Sequence, residues 1–160
     1  MSKATESSFV HVVYIRTTPE KLWSALTDAE QMKEYWFGMH FKTDWKTGAQ
    51  WQMIFPDGRV ADTGEILELE PPKRIQLKWR NEFRPELKAE GFALCTIDLE
   101  PVGASVKLTL THSIERTESK FIQAVSGGWP KILSNLKSLL ETGQVVLTEA
   151  DHSHDRSSQP

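Results

Sequence analysis

Hydrophobic positions near the C-terminus recur with a helical period. On a wheel of about 100° per residue, Trp129, Ile132, Leu133, Leu136, Leu139 and Leu140 share one arc. Phe121, Ile122 and Val125 join it on the N-terminal side, while Lys131, Ser134, Asn135, Lys137, Ser138 and Glu141 fill the opposite face. The phase survives Gly127, Gly128 and Pro130. This predicts one long helix over 119–142, bent in its middle and stopped by Gly143. Pro130 lies outside the apolar arc and frees the carbonyl of Ser126, so a helix bent there stays convex to solvent. Such a helix needs a wide apolar partner, because ordering its backbone costs roughly 1–2 kcal/mol per residue.

Segments with a period of two supply that partner. Val106, Leu108 and Leu110 alternate with Lys107, Thr109 and Thr111, which predicts a strand over 105–113 with His112 on the inward parity. Cys95, Ile97 and Leu99 do the same within 91–100, and Ile75, Leu77 and Trp79 within 73–79. Trp51, Met53 and Phe55 share one parity over 49–55, and Phe41 and Trp45 over 39–46. A further strand over 59–70 ends at Pro71-Pro72, and Pro56-Asp57-Gly58 marks the turn before it. The charged stretch 80–90 contains Pro85 and reads as a loop. At the N-terminal end, residues 9–16 are β-branched and aromatic with poor alternation, which predicts a strand covered on both faces. Thr18, Pro19 and Glu20 then form a helix start, and Asp28 caps a second short helix over 29–35. The expected fold is α+β: a curved seven-stranded antiparallel sheet wrapped around the long C-terminal helix, with two short helices after the first strand. A strongly curved sheet cannot touch a straight helix everywhere, so cavities are expected between them.

Composition narrows the function. The 160 residues suit one domain over 9–147, with residues 1–8 expected to be disordered and 148–160 to form a mobile tail. A net charge of −3 without a basic run gives no footprint for nucleic acid. No apolar run reaches a membrane span, and the single Cys95 suits a reducing, cytoplasmic setting as a buried, inert thiol. Six tryptophans are many for this length and could build a core or line an aromatic pocket.

Several stretches carry a family likeness: Thr17-Thr-Pro-Glu-Lys-Leu-Trp-Ser-Ala-Leu-Thr-Asp28, Asp44-Trp-Lys-Thr-Gly48, Gly64-Glu-Ile-Leu-Glu-Leu-Glu-Pro-Pro72, Leu108-Thr-Leu-Thr-His112 and Gly127-Gly-Trp-Pro130 running into Leu139-Leu-Glu-Thr-Gly143. Through them the chain, from about Val10 to Leu147, resembles the START-like (SRPBCC, helix-grip) superfamily. Within it, the chain is similar to the family of activators of the ninety-kilodalton heat-shock chaperone's ATPase. The resemblance implies a helix-grip fold and brings three roles: binding of lipids or aromatic compounds, cyclisation of polyketides, and chaperone regulation in stress. It supplies no universal catalytic motif and fold does not choose among these roles.

The leading expectation is an apolar or aromatic small molecule, lipid-like or polyketide-like, bound between sheet and helix without a cofactor or metal. The candidate lining is Trp36, Trp51, Met53, Phe55, Leu77 and Trp79 from the sheet side, with His112, Val125, Trp129 and Leu133. Any one of these tryptophans also reads as plain core, its indole N–H on a carbonyl. The loosened helix middle, Ser126 to Pro130, is expected to gate ligand access. One alternative is a cyclase- or hydrolase-like enzyme using His112, oriented by Asp44 or Asp98. The other is a stress-related regulator that binds a chaperone through an exposed patch including Val10, Val12 and Tyr14. A homodimer stays open, and the tail segment Asp151-His-Ser-His-Asp155 is a weak metal chelate at best.

Overall fold

The computed structural model describes residues 5–151. Seven strands form one antiparallel sheet: β1 (Ser7–Ile15), β2 (His40–Lys42), β3 (Gln50–Ile54), β4 (Val60–Glu70), β5 (Arg74–Asn81), β6 (Ala93–Val102) and β7 (Ser105–Ile114). Their order is β1-β7-β6-β5-β4-β3-β2, a meander from β2 to β7 with β1 brought back beside β7. Helices α1 (Pro19–Thr27) and α2 (Ala29–Tyr35) connect β1 to β2, α3 (Pro85–Lys88) connects β5 to β6, and α4 (Lys120–Thr142) follows the sheet. This is the sheet and long helix expected from the hydrophobic pattern, and it is the helix-grip fold that the family resemblance implies. Among the described residues no helix is long and apolar enough to cross a membrane.

The helix ends follow their capping residues. Thr18 accepts from the Lys21 backbone N–H with Pro19 at the first helical position, and Asp28 accepts from Glu30 N–H. Ser119 caps α4 through Ile122 N–H, and Gly143 closes it at φ 86°, left-handed backbone that glycine adopts without a Cβ penalty. Helix α4 is continuous through Pro130. Its arc is buried at Phe121, Ile122, Trp129, Ile132, Leu133 and Leu136, against Ile15, Val106, Leu108 and Leu110 of the sheet in one hydrophobic core.

Four local expectations are corrected. Strand β1 begins at Ser7, inside the segment expected to be disordered, and residues 1–4 lie outside those described. It is covered on one face only: Val10, Val12 and Tyr14 are about half exposed, because the row they share with Thr111 and Thr109 of β7 faces away from α4. Strand β2 stops at Lys42, and Trp45 sits in the connection to β3, at φ 52°, rather than in the strand. The charged stretch 80–90 is not all loop, since β5 runs to Asn81 and Pro85 starts the one-turn helix α3.

Two further contacts set the frame. Asn135, expected on the polar face of α4, is instead buried, and it donates to the carbonyls of Tyr35 (3.4 Å) and Leu147 (2.9 Å). Its Oδ1 accepts from the backbone N–H groups of Val146 (3.0 Å) and Leu147 (2.8 Å). A buried amide with all of these bonds made is stable, and it pins the segment after Gly143 back onto the helix. The metal-capable segment after Asp151 lies outside the described residues.

At the other end of α4, Glu90 accepts from Ser119 Oγ (2.5 Å), Lys120 N–H (2.9 Å) and Phe121 N–H (3.4 Å). A carboxylate on the free N–H groups of a helix start satisfies donors the helix cannot, and it matches the positive end of the dipole. It also ties the α3 segment to α4.

Candidate functional site

A pocket of about 390 Å³ opens between the first half of α4 and the β4–β5 side of the sheet. That is within the range of small-molecule sites. Helix α4 contributes Phe121, Ala124, Val125, Gly127, Gly128, Trp129, Lys131 and Ile132. The sheet and its connections contribute Phe55, Asp62, Trp79, Asn81, Phe83, Arg84 and Leu87, with Trp36 and Met39 from the end of α2 and the turn after it. Behind this pocket the core is nearly closed. A gap there of about 10 Å³, among Tyr35, Trp36, Leu77, Trp79, Trp129 and Leu133, is about one water probe in size.

The aromatic wall is built by three tryptophans from three elements. Trp36 stacks near-parallel on Trp79 at 6.4 Å, and Trp129 packs edge-on against both, at 5.2 Å and 5.7 Å. Such geometries match the ring quadrupoles. Trp51 supports the group from behind, edge-on to Trp79 at 4.7 Å, with its indole donating to the Lys78 carbonyl at 3.1 Å. Gly64 makes that reach possible. It lies between Trp51 and Trp79 in the strand register, and a Cβ there would stand 1.7 Å from the Lys78 carbonyl oxygen.

Of the ten residues expected to line a site, Trp36, Phe55, Trp79, Val125 and Trp129 face this pocket. Trp51 and Met53 are buried behind it, and Leu77 and Leu133 border only the small inner gap. His112 is corrected as well. It is fully buried under the tryptophan wall, its ring 5.3 Å from Trp79 and 5.0 Å from Phe121. Its Nδ1 accepts the Trp129 indole N–H at 3.0 Å, which leaves the proton of the neutral ring on Nε2, where it has no partner. Burial pushes its pKa down to about 3. Asp98 lies on the outer face bonded to Arg74 (3.1 Å), and Asp44 is exposed, so neither orients the imidazole. His112 is thus a neutral acceptor that fixes the indole of Trp129. It is not placed as a general base.

The polar chemistry of the pocket belongs to a residue that the hydrophobic pattern did not single out. Asp62 is 9% exposed. Removal from water pushes its pKa up to about 7, opposed by hydrogen bonds from Trp79 and Asn81, while the Glu82 carboxylate raises it further. Asn81 is held in turn, its Oδ1 accepting the Arg84 backbone N–H at 2.9 Å. Asp62 shares the inward parity of Gly64 and Ile66 and stands opposite Met53 and Asn81. A carboxylate on an inward strand parity was the available signal. Glu82, one residue beyond Asn81, behaves differently. Partial burial works against its ionised form, but bonds from Arg80 (2.6 Å), Thr63 (2.7 Å) and Lys88 (3.0 Å) win and hold its pKa down at about 2. Among the described residues no group of three or more His, Cys, Asp or Glu side chains is arranged to hold a metal ion.

Comparison with known proteins follows the fold. Protein MLL2253 from Mesorhizobium loti superposes with a TM-score of 0.73 at 23% identity, covering 87% of this chain and 100% of its own. The Aha1 dimer from Colwellia psychrerythraea gives 0.69 at 21%, covering 86% and 98%. PFC0360w, described as an HSP90 activator from Plasmodium falciparum, gives 0.68 at 24%, covering 83% and 95%. No curated protein matches the chain in sequence. The model of the family described as activator of Hsp90 ATPase homolog 1-like protein matches residues 16–141, from the end of β1 through nearly all of α4. The chain therefore belongs to the family of activator of Hsp90 ATPase homolog 1-like proteins.

Proposed function

We propose that the protein binds a hydrophobic or aromatic small molecule in the pocket between the sheet and α4. One observation carries this reading: about 390 Å³ walled by Trp36, Trp79, Trp129, Phe83 and Phe121, with a single buried carboxyl set in the wall. Sites of this size that are mostly apolar with a few fixed polar groups are the usual hosts of small organic molecules. Neither a metal nor a cofactor is needed, and the setting fits a cytoplasmic protein. The test is native mass spectrometry of the protein purified from cell extract, followed by titration with a fluorescent apolar probe such as anilinonaphthalene sulfonate. A retained mass or a probe displaced by Val125→Trp supports the reading. No retained mass together with no probe binding overturns it.

A second reading rests on a different surface. Val10, Val12 and Tyr14 form an exposed apolar row on the outer face of β1, and Leu94 of β6 is also exposed. Rows of large apolar side chains in water suit a protein partner. A relative of this fold is described as an HSP90 activator. We therefore propose as the alternative that this face docks on a chaperone of that kind. Stimulation of such a chaperone's ATPase, lost in Val12→Lys, is the supporting result. Its absence at micromolar concentrations removes the reading.

A further inference from the structure

Among the described residues, no cation acts on the carboxyl set in the pocket wall. Asp62 is almost fully buried in its wall and takes hydrogen bonds from two neutral donors, the Trp79 indole and the Asn81 amide. A carboxylate has about four acceptor positions, so roughly two remain after those bonds. The nearby cations are committed elsewhere. Arg80 and Lys88 bond Glu82, and Arg84 bonds Glu86 at 2.8 Å. Lys131 lines the pocket from α4, and the charge that acts on Asp62 is that of Glu82, an anion. From β3 the facing residue is Met53, and from β5 it is Asn81. A buried carboxylate is costly without a charged partner, and nothing among these groups supplies one.

We propose that the pocket selects a ligand whose aromatic body carries a basic nitrogen, the ring lying against Trp36, Trp79 and Trp129 and the ammonium on the Asp62 carboxylate. This rests on the small-molecule reading above and names the class of ligand. The tryptophan faces add attraction for the same charge, since a cation near an indole face gains from its quadrupole. Asn81, held by the Arg84 backbone, and the Trp79 indole keep the carboxylate pointed for that contact. A raised proton affinity at Asp62 follows from its burial among neutral groups, and an ammonium would displace that proton.

Three probes of one shape test it: 1-naphthylmethylamine, 1-naphthylmethanol and 1-naphthoate, titrated calorimetrically at pH 8. The amine is expected to bind at least tenfold more tightly than the alcohol, and the naphthoate more weakly than either. In Asp62→Asn the amine-to-alcohol ratio falls to near one. In the unaltered protein the amine's affinity drops by up to about tenfold per pH unit below pH 7 while the alcohol's does not. This second measurement holds even where the variant fails to fold. An amine no tighter than the alcohol, or a naphthoate tighter than the amine, overturns the charge assignment and leaves the pocket reading standing. No binding by any of the three overturns this ligand class, and the pocket reading falls with it when no mass is retained and anilinonaphthalene sulfonate does not bind.

Discussion

Asp62 in the pocket wall and His112 beneath it are both buried titratable groups, and burial moves them in opposite directions. Unfolded, the aspartate titrates near 3.8 and the imidazole near 6.5; folded, they move to about 7 and about 3. Between about pH 4 and 6.5 the folded chain holds an extra proton on Asp62 and lacks one on His112. Raising the pH through this window therefore removes stability at Asp62 and restores it at His112, each by at most about 1.4 kcal/mol per pH unit. The two slopes oppose each other, so these sites together give little pH dependence. Asp62→Asn should break the balance. Its urea midpoint is expected to rise with pH between 5 and 6.5, where the unaltered protein is flat, and the variant should be the more stable of the two above pH 7. A flat profile in the variant would mean that His112 is not held neutral by burial in the folded chain. At the same scale Trp129→Phe leaves His112 Nδ1 without its donor, and a loss of about 1–3 kcal/mol is expected in denaturant unfolding.

At the scale of elements, α4 has two halves with different work. The second half carries the continuous stripe, the Asn135 clamp and a side-chain tie from Lys137 to the Tyr14 carbonyl at 2.6 Å. The first half borders the pocket through small residues, Ala124, Gly127 and Gly128. A Cβ at either glycine would meet nothing within 4 Å. Helical glycine carries a backbone-entropy penalty relative to alanine of roughly 0.5–1 kcal/mol. Gly127→Ala should therefore stabilise the protein by about that much in thermal or urea unfolding. Amide hydrogen exchange at 126–129 should be faster than at 133–140 in the unaltered chain and should slow in the variant. Equal protection of the two halves would remove the gating role expected of this segment. The Glu90 bridge closes the same region from the other side. Glu90→Ala removes the acceptor for three donors around the start of α4, and a cost of about 1–2 kcal/mol is expected, with faster exchange at 120–122.

For the whole molecule, the sheet separates two surfaces. Its concave side holds α4 and the pocket; its outer side carries the Val10, Val12 and Tyr14 row. Side chains on opposite faces of a strand share few partners, so their effects should add. Val12→Lys is expected to leave unfolding free energy within about 0.5 kcal/mol and naphthylmethylamine binding unchanged. Coupling between that row and pocket binding would show that the sheet transmits a change between its faces.

Much of this arrangement is legible along the chain because its causes are local. The 3.6-residue stripe from Phe121 to Leu140, the Ser119 cap and the Gly143 stop define α4 whatever it packs against. The same holds for Thr18-Pro19 and Asp28 at α1 and α2, and for the alternation that buries Val106, Leu108, Leu110 and His112. Composition and turn chemistry then point to a curved antiparallel sheet around a long helix. Where a void remains is a tertiary matter. Trp51 and Trp79 have the same inward parity, yet Gly64 lets one indole cross a neighbouring strand and back the other. The shift in β3–β4 pairing at Met53 and Ile54 and the turn of α3 set which side chains reach the rim. Asp62 shows the division most clearly. Its parity is readable in β4, but its burial in the pocket wall and its bonds to Trp79 and Asn81 arise only when distant segments meet. Periodicity records which side of an element is apolar; it carries no record of the volume left between two such sides, and that volume is where the candidate site lies.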